Sequence, residues 1–213
     1  MTNRPSTEDL IHRLATAPPP ARLSGRGTAS LMLGAVGLAL ALFLTLAGPR
    51  ADLLPALADP QVLAKLILPL VLAPLALMLA LRSARPGVGL PLGLLALPAL
   101  AAVGLFGARL VQTPPGLVLP GIMGHSAAAC LLSITALSAP ALLLGLILFR
   151  RGAALRPALT GGLVGLAASA AATAGYALYC TEDSPLFFTL WYGLAMAICT
   201  AAGAVAGRRL LRW

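Results

Sequence analysis

The sequence predicts an all-α polytopic membrane protein with six transmembrane helices and both termini cytoplasmic, and three observations predict it. Only 21 of its 213 residues are charged, 59% are hydrophobic with a mean hydropathy of +0.94, and the uncharged residues gather into six long runs. A soluble domain draws roughly a quarter of its residues from Asp, Glu, Lys and Arg, so this chain could not cover a soluble surface. The formal charge of +9 and a pI near 11 would suit an acidic partner. Yet the basic residues are scattered between apolar runs instead of clustered on a polar face, which argues against a soluble nucleic-acid binder and most soluble enzymes.

The first element is a polar tail, residues 1–28. Ser6 can cap a short helix with Asp9 three residues on; Leu10, Ile11 and Leu14 then form one apolar stripe, and Pro18, Pro19 and Pro20 stop it. So short a helix is marginal alone. With Glu8 and Asp9 beside it, the stripe suits a basic protein groove better than an anionic lipid surface.

The six expected spans are 29–47, 62–81, 87–108, 126–149, 157–180 and 184–207, together the membrane domain 29–207. Each is near the ~20 residues that cross a hydrocarbon core of ~30 Å. The first run starts after a proline-rich polar tail and is long enough to span, so it is expected to stay in the mature protein and not to act as a cleaved signal peptide. Pro69, Pro74, Pro91, Pro98 and Pro140 fall inside the runs and predict kinks, because neighbouring helices in lipid re-satisfy the freed carbonyls. Gly161, Gly165, Ser169 and Thr173 in the fifth span, and Gly203 and Gly207 in the sixth, recur at the spacing by which membrane helices pack closely.

Orientation follows from the basic residues, which resist translocation. Twelve of the fifteen fall on one side: four in the tail, two at Arg82 and Arg85, three at Arg150, Arg151 and Arg156, and three in the basic C-terminus, 208–213. Arg50, Lys65 and Arg109 fall on the other side with Asp52, Asp59, Glu182 and Asp183. Both termini are therefore expected in the cytoplasm, as an even number of spans requires.

Little in the spans suggests chemistry. A pump or ion-coupled carrier keeps ionisable groups within the membrane; here Lys65 and Arg109 lie near the outer ends of their spans and are read as snorkelling. His12 and His125 share no helix face, and no serine has a paired base, so no enzyme, resident cofactor or small-molecule substrate is expected. Cys130 and Cys180 are expected within about one helical turn of each other in depth, and Cys199 out of reach. Spacing leaves these thiols as apolar packers, a structural disulfide, a redox switch or a soft-metal site helped by His125. Beside Cys180, Glu182 and Asp183 are read as solvated, with a cation site as the alternative. Tyr176, Tyr179, Phe187, Phe188, Trp191 and Tyr192 are read as an interfacial aromatic belt.

Two stretches carry a resemblance. The tail Glu8-Asp9-Leu10-Ile11 to Leu14-Ala15 with Pro20-Ala21-Arg22-Leu23, and the stretch Tyr179-Cys180-Thr181-Glu182-Asp183-Ser184 followed by Leu190-Trp191-Tyr192-Gly193-Leu194 and Gly207-Arg208-Arg209-Leu210, resemble the NrsF (negative regulator of sigma F) family of six-span anti-sigma factors. The resemblance implies a multi-pass protein of the bacterial inner membrane whose tail sequesters an extracytoplasmic-function (ECF) sigma factor, with no direct contact to nucleic acid. Leu10, Ile11, Leu14 and Arg22 would bind the sigma factor. Cys130 and Cys180 would be the pair that senses a periplasmic redox or heavy-metal signal, holding at most a transient soft-metal ion, and Glu182, Asp183, Trp191 and Tyr192 would belong to the outer-loop motif. The family often has His-Cys-Pro where this chain has Tyr179-Cys180-Thr181, which departs from the pattern at the residue before the cysteine. The rival reading is a small membrane transporter or membrane redox protein.

Overall fold

The computed structural model describes residues 6–16 and 23–212, which form helices and connecting turns with no strand among them. Helix α1, Thr7–Thr16, starts where Ser6 predicts: Ser6 Oγ accepts a hydrogen bond from the Asp9 amide at 3.1 Å. Ile11 is exposed on it. The side chains of Leu10 and Leu14, the Pro18 to Pro20 stop and Arg22 lie outside the described residues.

The membrane domain begins with α2, Gly25–Ala47, where Ser24 Oγ accepts from the Gly27 amide at 3.2 Å. A single turn, α3, Leu53–Ala56, leads to α4, Pro60–Ser83, which has Asp59 accepting from the Gln61 amide at 2.8 Å and proline in its first turn. A 3-10 turn over Leu92–Leu95 runs into α5, Ala96–Gln112. Then come α6, Pro115–Met123, and α7, Ala127–Phe149. The last two are α8, Pro157–Tyr176, and α9, Pro185–Leu210. Six stretches among the described residues are long and apolar enough to cross a membrane: α2, α4, Leu92–Gln112, Pro115–Phe149, α8 and α9.

Four expectations need correction. The third span starts at Leu92, so Pro91 precedes it instead of kinking it. The fourth is preceded by a further helix, α6, over residues left between the expected third and fourth spans; Pro120 is accommodated inside it. The fifth ends at Tyr176, which places Cys180 in the following turn and not in the helix. Most of the aromatic belt is interior: Tyr176, Phe187, Phe188 and Tyr192 are buried. Phe43 of α2 packs on Tyr176 and Tyr179, and Tyr176 in turn on Tyr192 at 6.2 Å between centroids.

Helix α8 is the axle of the bundle, packing on α9, α4, α7 and α2, and it is the most buried of the six spans. Its composition explains this. Lipid offers no hydrophobic drive for helix association, so close van der Waals approach must supply it, and small side chains permit that approach. Gly161, Gly165, Gly203 and Gly207, whose spacing suits close packing, meet at the α8/α9 crossing. A Cβ on Gly161 or Gly203 would collide with the other's carbonyl oxygen, and one on Gly165 with the Cys199 carbonyl oxygen. Polar bonds supplement the packing: the Ser83 hydroxyl lies 2.9 Å from that of Thr160, joining α4 to α8, and Ser138 Oγ lies 3.3 Å from Cys199 Sγ, joining α7 to α9.

Backbone atoms cannot move aside as a flexible side chain can. Gly161→Leu or Gly203→Leu should therefore cost about 3 kcal/mol, whereas Gly193→Ala, which meets nothing within 4 Å, should be close to neutral. Thermal unfolding of the detergent-solubilised variants measures the difference, and equal effects at the three positions would contradict this packing.

Candidate functional site

The polar groups of the membrane domain converge at the end where α2 finishes and α4 and α9 begin. The turn Cys180 to Ser184 joins α8 to α9 there, and two cations from elsewhere in the chain close over it. Arg50, three residues beyond α2, is buried at 8% exposure; Lys65, in the second turn of α4, is buried completely.

Both reach Asp183. Arg50 Nη1 and Nη2 donate to its two carboxylate oxygens at 2.8 and 2.9 Å, the paired geometry a guanidinium fork favours, while Lys65 Nζ donates to Oδ1 at 2.7 Å. Both also reach the backbone of the cysteine: Lys65 Nζ donates to the Cys180 carbonyl oxygen at 2.6 Å and Arg50 Nη1 to the same oxygen at 3.3 Å. Lys65 adds the Glu182 carbonyl oxygen at 3.2 Å. The Arg50 amide donates to the Leu178 carbonyl oxygen at 3.1 Å, tying the end of α2 to the turn after α8. Asp52, largely exposed, accepts from Arg50 Nε and Nη2 at 2.8 and 2.9 Å. Two carboxylates thus neutralise two cations.

Expectation and structure part here. Lys65 does not snorkel; it turns inward because Asp183 and two carbonyl oxygens offer more than a headgroup would. Arg109 is exposed in the last turn of α5, as a snorkelling residue would be. Asp183 is partly buried and paired instead of solvated. Glu182 turns the other way, its Oε1 accepting from the His125 amide at 2.8 Å and so holding the corner between α6 and α7. That corner turns at Gly124, at a φ of 53°, where a Cβ would also press on the Phe187 ring. Trp191 Nε1 donates to the Ile122 carbonyl oxygen at 2.8 Å, a second tie from α9 to α6. Tyr192 is buried with its hydroxyl unpaired among the described residues.

Cys130 and Cys180 are free thiols, both buried, and belong to one continuous buried cluster with Tyr176, Phe187 and Tyr192. Cys199 is free and buried at the Ser138 contact. The His125 side chain is exposed, and among the described residues no three His, Cys, Asp or Glu gather to hold a metal ion.

Electrostatics fix the charge state of the clamp. Hydrogen bonds from Arg50 hold the Asp52 carboxyl down to about 2. Burial alone would raise Asp183, but hydrogen bonds and charge from Arg50 and Lys65 outweigh it and lower the carboxyl below its usual range. Arg50, hydrogen-bonded to Asp52 and Asp183, is held still more firmly protonated.

Six apolar helices with their ion pairs gathered over one interhelical turn define a polytopic helical membrane protein whose ionic groups bind its own helices together. The chain belongs to the NrsF family, "Negative regulator of sigma F", which matches residues 14–213. It is 33% identical over 219 residues to the anti-sigma-F factor NrsF of Caulobacter vibrioides and 34% identical over 216 residues to the probable anti-sigma-F factor NrsF of Azospira oryzae; each match covers 97% of this chain and 99% of the relative. No solved structure matches the chain. The family is one of regulators, not enzymes, in agreement with the sequence reading.

Sequence reasoning missed Arg50 and Lys65. The signal was present in the charge map: few cations fall at this end of the helices, and the motif sets two adjacent carboxylates beside them.

Asp183→Asn would leave two buried cations facing one exposed carboxylate, and should destabilise the protein by about 2–3 kcal/mol, the low side for a broken buried pair because Asp183 is partly exposed. The folded-state pKa of Asp183 is depressed, so its stabilisation is present above the unfolded value of about 4 and is lost as pH falls through the folded value. Thermal stability should accordingly stay flat from pH 8 to pH 5 in the wild type and fall only in stronger acid. A decline centred near pH 6 would contradict the clamp.

Proposed function

We propose that this protein is a membrane anti-sigma factor that holds an ECF sigma factor through its cytoplasmic tail and releases it when a redox or heavy-metal signal reaches Cys130 and Cys180. The protein works in the bacterial inner membrane with both termini cytoplasmic, and Leu10, Ile11, Leu14 and Arg22 make the grip. Family membership and the names of both relatives support the anti-sigma role. The twelve basic residues on the tail side support the orientation.

One observation carries the link between signal and grip: the Cys180 carbonyl oxygen accepts hydrogen bonds from both Lys65 and Arg50. Arg50 stands just past one end of α2, and the tail is attached to the other. A thiol reagent that moves Cys180 displaces the acceptor that two cations share, and α2 carries the displacement to the tail. Oxidation of the two thiols to a disulfide draws Cys130 of α7 toward the turn; a soft metal ion bound by the two sulfurs pulls in the same sense. Either signal acts only through the difference in its affinity for the holding and releasing states.

Capture of the cognate sigma factor by the full chain should fall at least tenfold on deleting residues 1–28; undiminished capture would refute the tail as the grip. Cys130→Ser and Cys180→Ser should each abolish induction of the sigma regulon by cadmium or oxidant while the amount of protein in the membrane is unchanged. If both variants still respond, the thiols only pack.

A further inference from the structure

We propose that the groove between α2 and α4 is a binding site for an anionic phospholipid, its acyl chains lying along α8 and its phosphate at Arg82 and Arg85. α2 and α4 both pack on α8 but stand apart from one another, leaving a cavity of about 790 Å³ floored by α8 and α7. Its walls include Met32 and Val36 of α2, Pro74 and Leu77 of α4, and Ala168 and Ala171 of α8; Arg82 and Arg85 are its only polar lining residues.

Its dimensions select the occupant. From Leu70 to Arg82 the α4 wall extends about 18 Å, deeper than half of a ~30 Å hydrocarbon core, so the groove runs from an arginine-bearing end past the middle of the membrane. Acyl chains are thin enough, and the small residues of α8 give them a smooth floor.

Charge selects the headgroup. Arg82 and Arg85 are exposed, and neither makes an ion pair among the described residues. Four of the six acidic residues sit at the opposite end of the bundle and the other two in α1. Two uncompensated guanidiniums above an acyl groove suit a phosphodiester with a net negative charge. A lipid seated there would wedge α2 from α4 and so help set the position of the helix that bears the tail.

The test uses the full chain in detergent, delipidated and then titrated with phosphatidylglycerol or phosphatidylcholine of identical acyl chains, with retention read by native mass spectrometry. The wild type should retain phosphatidylglycerol about 25-fold better, in line with roughly fivefold for each of the two arginines at an anionic surface. Arg82→Gln with Arg85→Gln should bring the two lipids level. Gly37→Leu adds bulk to the groove where a Cβ meets nothing within 4 Å, and should lower retention of both lipids. Equal retention by the wild type, a preference that survives loss of both arginines, or retention unaffected by Gly37→Leu would each overturn the proposal.

Discussion

The Asp183 carboxylate is the constraint on which the far end of this bundle depends. It is the charge partner of a fully buried lysine on α4 and of a buried arginine beyond α2, and it sits two residues before the start of α9 on the turn from α8. Four helices are therefore held in register by one side chain. A lysine taken out of water is costly unless it is paired and its hydrogen bonds are made, and Lys65 has three acceptors. The residues around Asp183 extend the same role: the Cys180 and Glu182 carbonyls complete the lysine's shell, and the Glu182 side chain fixes the corner before α7.

The opposite end is held by different physics. Among the described residues there are no ion pairs there; backbone approach at Gly203 and Gly207, the Ser83 and Thr160 hydroxyls, and a bond from the Ala153 amide to the Ala84 carbonyl oxygen join the helices. One end is fastened by charge, which a chemical change nearby can alter. The other is fastened by shape, which it cannot. The α8/α9 crossing is fixed by backbone against backbone, whereas α2 is joined to the bundle through Arg50 and side-chain packing.

The six spans and the glycine crossing were legible because length, charge gaps and small-residue spacing are local properties of a sequence. The motif from Tyr179 to Ser184 was legible too, and it led to the family. What those residues do was not. Lys65 lies 118 positions from its carboxylate, and a lysine five residues into a span looks the same whether it reaches for a headgroup or for Asp183. The aromatics were misread for a related reason: six rings near a membrane boundary suit a belt, and only the packing of Tyr176 on Phe43 and Tyr192, and of Tyr192 on Phe188, shows that most of them face inward. Helix α6 was hidden by Pro120 and its neighbouring glycines, residues that in water would mark a loop.

The makeup of α8 bears on how the protein is put together in the cell. The most buried helix is also the least hydropathic of the six, because alanine, glycine, serine and threonine suit protein neighbours better than lipid. Such a segment partitions weakly into a bilayer by itself. It follows α7 after only the short connection 150–156, which carries three arginines. A segment of this makeup is suited to insertion as a hairpin with leucine-rich α7, and in the folded chain α9 covers it. The polarity of α8 thus ties its place in the membrane to the neighbours made just before and just after it.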